Sequence, residues 1–284
     1  MSVKIIADST CDLSKDLLEK YNISVIPLHI VLGEKEYRDG LDIHPDEIYQ
    51  WSDTNKEAPK TSAASIADAM ELFETSIQEC DEIVCFSISG QMSTTSNVLR
   101  MAAEELELEE KIHIIDSKNL STGGGLLVME AAIMAQNGKN AAEIKEKIEA
   151  LKPLVRASFI VDTLTFLHRG GRCSGVAALA GGALKLHPKI IVENGSMKPD
   201  KKYRGKMSSA ILSYVKDLEP QIKNAQSDRV FITHSGCSED LLEQVTQYVS
   251  DLGIFNEILI TRAGGVISSH CGPGTLGVLF IENN

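Results

Sequence analysis

Short apolar runs that end in polar loops alternate along the first half of this chain with stretches of helical periodicity. That alternation limits the fold more than any other feature. Val3–Ala7 runs into Asp8-Ser9-Thr10, Glu82–Ser87 into Ile88-Ser89-Gly90, and Lys111–Ile115 into Asp116-Ser117. Between them lie helical segments. These are Ser14–Tyr21 with Leu17 and Leu18 inward, a stretch from Ser65 in which Ile66, Ala69, Met70, Phe73 and Ile77 recur at helical spacing, Thr94–Leu106, and Gly123–Gln136. Ile23–Leu32 reads as a second strand, and Pro45–Trp51 as a helix with proline in its first turn. Strands alternating with helices make parallel βαβ units. Ligands of such sheets bind beyond the carboxyl ends of the strands, so the three loops are expected to share one rim.

Segments rich in small hydroxyl residues stand where helices are expected to start: Thr61-Ser62-Ala63-Ala64-Ser65, Ser87 through Ser96, and Ser121-Thr122 before Gly123-Gly124-Gly125. A helix start carries unpaired N–H groups and partial positive charge, which suits an anion. Each segment taken alone reads as an N-cap. Their recurrence in one chain favours a shared site for a carboxylate or a phosphate.

The second half restarts after the charged helix Ala141–Leu151 and Pro153, where a domain change is expected. Arg156–Val161 is a strand. Lys189–Val192 and Met197-Lys198 flank an Asn194-Gly195 turn and read as a hairpin. Lys206–Lys223 is helical, Arg229–His234, Leu241–Leu252 and Glu257–Ile260 form a further β-α-β run, and Thr275–Ile281 is a last strand. Leu164–Leu186 is rich in Leu, Ala and Gly. Its small residues Ala177, Ala178, Ala180, Gly181, Gly182 and Ala183 leave room either for neighbouring helices or for a ligand chain.

At 284 residues and 43% hydrophobic, the chain can bury a large core. Lys+Arg number 28 against 40 Asp+Glu, a formal charge of −12 that opposes nucleic acid and anionic membrane surfaces. The cysteines form no C-x-x-C pair or zinc spacing, no signal-peptide pattern precedes Val3, and no apolar run is long enough to span a bilayer. A reduced, cytoplasmic protein without a transmembrane segment, metal or cofactor is expected. Gly272-Pro273-Gly274-Thr275-Leu276-Gly277 matches G-x-G-x-x-G, but it precedes a strand instead of following one, so it reads as a turn. Neither a phosphate-binding P-loop nor a G-x-S-x-G elbow is present.

His270 sits among small polar residues between Gly264-Gly265 and Gly272, unlike a helix face, and is read as ligand-facing. His234 ends a strand and is the weaker candidate. Arg169-Gly170-Gly171-Arg172 reads either as a phosphate-holding pair of guanidinium groups or as a solvated turn. The basic run Lys198, Lys201, Lys202, Arg204 and Lys206 is either a solvated face or a surface for an anionic partner.

Ala7-Asp8-Ser9-Thr10, Lys60-Thr61-Ser62 with Ser65, Ser89-Gly90 with Ser93-Thr94, Asp116-Ser117, Arg169-Gly170-Gly171-Arg172 and Ser268 with His270-Cys271-Gly272-Pro273-Gly274 follow one another over nearly the whole chain. As an ordered set they resemble the DegV family. The resemblance implies a two-domain α/β protein, with an N-terminal parallel βαβ domain (1–155) and a C-terminal α/β domain (156–284) with a ligand tunnel. It implies a non-catalytic subunit that holds a long-chain fatty acid, like the fatty-acid-binding subunits (FakB) of bacterial fatty acid kinase. The carboxylate would lie near Thr61, Ser62, Ser93, Thr94 and His270. A separate ATP-binding kinase subunit would phosphorylate it, and the acyl phosphate would pass to acceptor enzymes of phospholipid synthesis. Arg172 and Arg204 match positions expected to touch the phosphate or the kinase. The family often has Thr-Ser-Gln-Pro-Ser where this chain has Thr61-Ser62-Ala63-Ala64-Ser65, so the hydroxyls remain without the stiffening proline. Burial of a long acyl tail offers on the order of 10 kcal/mol before entropy costs, against about 1 kcal/mol for one neutral hydrogen bond. The alternative is a stand-alone enzyme acting on a small phosphorylated metabolite at the same rim.

Overall fold

The computed structural model describes residues 2–173 and 186–284. The first half comprises β1 (Val3–Asp8), α1 (Lys15–Lys20), β2 (Ile23–Ile26), β3 (His29–Leu32), β4 (Lys35–Arg38), α2 (Pro45–Asn55), β5 (Lys60–Ser62), α3 (Ile66–Ile77), β6 (Glu82–Ser87), α4 (Thr95–Glu105), β7 (Ile112–Asp116), α5 (Ser121–Gln136) and α6 (Ala141–Leu151). There follow β8 (Val155–Ile160), α7 (Thr165–Gly170), β9 (Leu186–Glu193), β10 (Ser196–Arg204), α8 (Met207–Asp217), α9 (Glu219–Ile222), β11 (Ala225–His234), α10 (Glu239–Asp251), β12 (Glu257–Arg262), α11 (Gly265–Cys271) and β13 (Leu276–Glu282).

The expected α/β class holds. β2-β1-β6-β7 form a parallel sheet. β10-β9-β8-β13-β11-β12 form a mixed sheet, antiparallel except for the β11–β12 pair. A small antiparallel sheet, β4-β3-β5, stands beside them.

Helix α5 joins the two large sheets. It packs on β1 and β6 on one side and on β8, β11 and β13 on the other. Every residue from Ser121 to Ala132 except Glu130 is buried, as a helix apolar all round requires. Gly125 permits the close approach, since a Cβ there would lie 2.6 Å from the Cys11 carbonyl oxygen. Polar contacts cross the same seam. Thr233 Oγ1 lies 2.6 Å from Thr122 Oγ1 and 2.9 Å from Thr261 Oγ1, and Arg229 pairs with Glu130.

Several expectations need correction. Ile23–Leu32 is not one strand. Pro27 lacks the N–H a continuous ladder needs, so β2 stays in the parallel sheet while β3 joins the small one. Thr61 and Ser62 do not open a helix. They pair with Ile30 and His29 in β5, and the helix starts after Ser65, whose Oγ accepts from Asp68 N at 3.0 Å. Lys206–Lys223 breaks at Leu218, with Pro220 in the first turn of α9. His270 lies on the short helix α11 and not in an irregular loop, because the small residues around it serve close packing. The hairpin is longer than expected, and Asn194 and Gly195 take the positive φ angles of its tight turn, 52° and 82°. The small-residue stretch Ala177, Ala178, Ala180, Gly181, Gly182 and Ala183 lies outside the described residues. Among the described residues no helix is long and apolar enough to cross a membrane.

Replacing Thr233 by Val keeps the shape but leaves the buried Thr122 and Thr261 hydroxyls without their shared partner. Thr233→Val is expected to lower stability by about 1–3 kcal/mol, read as a reduced urea midpoint with an unchanged slope.

Candidate functional site

A cavity of about 480 Å³ opens where the small sheet, the loop after β6 and helix α11 meet. Leu28, Ile88, Met92, Leu120, Met197, Val266 and Ile267 make its apolar wall. Thr61, Ser62, Gln91, Ser93, Thr94, Arg172 and His270 contribute its polar groups. Six residues singled out from the sequence, Thr61, Ser62, Ser93, Thr94, Arg172 and His270, therefore line one space. Arg204 does not. It ends β10, whose opposite end carries Met197, roughly 20 Å away at the usual rise of a strand.

The Thr61–His270 contact ties the two halves of the chain together. His270 Nε2 lies 2.8 Å from Thr61 Oγ1. Its Nδ1 is buried without a hydrogen-bond partner among the described residues and faces Gly170, where a Cβ would come within 2.2 Å. An orphaned buried N–H costs more than a bare ring nitrogen, so the proton belongs on Nε2, donated to Thr61. The Thr61 hydroxyl proton is then free for another acceptor. Burial, helped by the positive charge of Arg172, lowers the His270 pKa to about 4, so the imidazole is neutral near pH 7.

Ser93 combines two roles weighed from the sequence. Its Oγ accepts from Thr95 N at 3.2 Å and lies 2.8 Å from Thr95 Oγ1, steadying the start of α4, while the residue also lines the cavity. Ser62 is exposed and its Oγ donates to Glu36 at 3.3 Å. Arg172 Nη1 donates to the Gly170 carbonyl at 2.6 Å, across the turn whose Gly171 has φ 66°.

The third hydroxyl segment does not join this site. Ser121 Oγ donates to Asp12 at 2.5 Å and Thr122 bonds to Thr233, so both hydroxyls hold the seam. Only Leu120, just before them, reaches the cavity. The rim expected from the strand ends is likewise divided. Asp8, Thr10 and Ser117 face a separate void of about 10 Å³. Asp8 accepts from Thr10 and from Ile88 N, and burial pushes its pKa up to about 6. Burial also raises Asp12 to about 8 and moves Asp39 upward. His234 is a turn residue, its Nδ1 accepting from Gly236 N and Cys237 N.

Sequence reasoning missed Leu28 and Met197 in the wall, and it missed Gly170 as the surface against the imidazole. Gly170-Gly171 carried a signal, but one that reads equally as a turn. Among the described residues no group of three or more His, Cys, Asp or Glu side chains is arranged to hold a metal.

The profile of the DegV family, described as uncharacterised proteins, matches residues 2–283. The chain belongs to the DegV family. A DegV domain-containing protein from Caldanaerobacter subterraneus is 32% identical over 282 residues, covering 99% of each chain. A DegV family protein from Thermus thermophilus, described for its fatty acid binding, superposes with a TM-score of 0.90 at 30% identity, each chain covered in full. A stearic acid-binding protein from Eubacterium ventriosum gives a TM-score of 0.84 at 30% identity, covering 99% of this chain and 98% of its own. DegV of Bacillus subtilis, a fatty acid binding protein, gives 0.86 at 26% identity with full coverage of both.

The depressed His270 pKa fixes a pH dependence. Between pH 6.5 and about 4 the unfolded chain takes up a proton that the folded imidazole refuses. The stability this group contributes is therefore complete above pH 6.5 and lost as pH falls through that window. Asp8, Asp12 and Asp39 act with the opposite sign, losing stability as pH rises. Urea unfolding of the protein and of His270→Gln at pH 7 and pH 5 separates the two effects. The original chain is expected to lose on the order of 1–2 kcal/mol more than the variant.

Proposed function

We propose that this DegV protein is a cytoplasmic, non-catalytic carrier of a long-chain fatty acid. Its ligand lies between an N-terminal domain (1–155) and a C-terminal domain (156–284). The observation that carries this reading is the one-sided polarity of the cavity. Neutral polar groups gather at Thr61, Ser62, Gln91, Ser93, Thr94 and His270 beside the single cation Arg172, and the large side chains Leu28, Ile88, Met92, Leu120, Met197, Val266 and Ile267 make an apolar wall. The fatty acids bound by the Thermus thermophilus, Bacillus subtilis and Eubacterium ventriosum proteins support it.

The chemistry of the wall explains why the ligand would be an amphiphile. Tail burial supplies about 0.8 kcal/mol per methylene, so the apolar wall sets affinity. The free Thr61 hydroxyl proton and the Ser93 hydroxyl locate the carboxylate, flanked by the more exposed Ser62 and Thr94. Arg172 offsets its charge. Conversion to an acyl phosphate would add negative charge, which a cationic neighbour such as Arg172 favours. A separate kinase subunit would bring ATP, and acyl phosphate acceptor enzymes of phospholipid synthesis would take the product. Lys202, Arg204 and Lys206 are exposed and, among the described residues, without ion-pair partners, whereas Lys198 pairs with Glu193 and Lys201 with Asp217. That unpaired basic strip on an acidic protein suits an acidic face of the kinase.

Organic extraction of the purified protein, followed by mass spectrometry, is expected to release a fatty acid. An extract without lipid, together with turnover of phosphate esters by the protein alone, would overturn the reading in favour of the stand-alone enzyme. Ser93→Ala and His270→Ala are expected to weaken fatty acid binding about five-fold each with folding intact. Arg204→Ala is expected to slow kinase-coupled acyl phosphate formation while leaving fatty acid affinity unchanged. Equal loss of both would remove Arg204 from a partner surface.

A further inference from the structure

We propose that Asp39, supported by Asp12, is the positioning residue that holds His270 against Thr61, acting through the amino end of helix α11. The proposal rests on the fatty acid reading of the cavity only for its consequence in binding, since its geometric part concerns the ligand-free protein.

Helix α11 has seven residues and begins at Gly265, so it has little stability of its own. Its amino end is held by carboxyl groups from the other half of the chain. Gly265 N donates to Asp39 Oδ1 at 2.7 Å, Val266 N to Asp39 Oδ2 at 3.3 Å, and Gly264 N to Asp12 Oδ1 at 2.8 Å. Both acids are themselves fixed from behind. Ser9 Oγ donates to Asp39 Oδ2 at 2.9 Å and accepts from Leu28 N at 3.1 Å. Ser121 Oγ donates to Asp12 Oδ2 at 2.5 Å. Gly265 also presses on strand β3, where a Cβ would stand 2.5 Å from Ile30 Cδ1. Ile30 pairs with Thr61 across β3 and β5.

The helix is thus bracketed. One end rests on Asp39 and β3, and the other meets, through His270, the strand paired with β3. Gly265 and His270 are about 7.5 Å apart along the axis at the usual helical rise. A tilt of about 10° at the carboxylate anchor would move the last turn by about 1.3 Å, enough to break the 2.8 Å contact to Thr61. Asp42 is a natural control. It lies three residues from Asp39 but is paired with Arg38 and, among the described residues, makes no hydrogen bond to α11.

The test is made on delipidated, folded protein. Imidazole ¹⁵N spectra report the tautomer and titration of His270, and oleate binding is measured on the same samples. In Asp39→Asn one acceptor oxygen becomes an amide that cannot accept. The fixed Nε2–H signature is expected to be lost, the titration midpoint to rise by about one pH unit toward that of an ordinary histidine, and oleate affinity to fall about five-fold. Ser9→Ala, which removes one prop behind the same carboxylate, is expected to move all readouts in the same direction by less. Asp42→Asn is expected to move none. An unchanged His270 spectrum and titration in Asp39→Asn overturns the proposal. Should that variant not fold, the same result in Ser9→Ala does so. Failure of the original chain to bind oleate counts against the proposed function alone, because the imidazole comparison needs no lipid.

Discussion

From Ser121 to Ala132 every residue of helix α5 except Glu130 is buried, and a stretch so nearly without a solvent face requires one apolar surface above it and another below. The parallel sheet and the mixed sheet supply them. Leu126, Leu127, Val128 and Met129 share a core with Ile5 and Ala7 of β1, Ala157 of β8, Phe231 of β11 and Leu279 of β13. Gly125 lets the chain around Cys11 approach within contact, and just beyond it Asp12, after β1, meets Gly264, after β12. The cavity lies at the edge of this junction, where a third, smaller sheet and the short helix α11 complete its wall. Its position follows from how the two sheets share one helix.

The polar side of the cavity is built mainly from neutral groups. Thr61, Ser93 and an uncharged His270 donate or accept without carrying charge, and Arg172 is the cation beside them. The nearby acids are engaged elsewhere. Asp39 and Asp12 accept from the amino end of α11, and Asp8 accepts from Thr10 and Ile88. A buried carboxylate left unpaired would be costly, so these bonds do two things at once. They satisfy the acids, and they fix the helix that carries His270.

Much of this was legible in the chain. The alternation of apolar runs with helical periodicity identified the parallel strands β1, β6 and β7 and the helices between them, and Asn194-Gly195 identified the hairpin. His270 and the hydroxyls of Thr61 and Ser93 stood out because small polar residues clustered around them without serving a periodic apolar face. The errors had local causes. Pro27 hid a change of sheet within an unbroken apolar run. Thr61 and Ser62 looked like a helix start because Ser65 three residues later is one. Ser121 and Thr122 looked like anion donors, but their partners, Asp12 and Thr233, are too far along the chain for any local pattern to announce them.

By itself the sequence determined most of the long helices and the strands of the parallel sheet, the α/β class, the absence of a local P-loop or hydrolase elbow, and the short list of side chains able to meet an anion. These depend on periodicity, turn chemistry and residue type, which act over a few positions. Only the tertiary structure decided which of those side chains share a space. Thr61 and His270 are 209 positions apart, and Gly265 and Asp39 are 226. Contacts over such separations arise from how sheets pack about a common helix, and no short-range preference encodes that packing. The same packing put Arg204 at the far end of β10 and took Ser121 and Thr122 into the seam, although by composition alone each was as good a candidate as the residues that line the cavity.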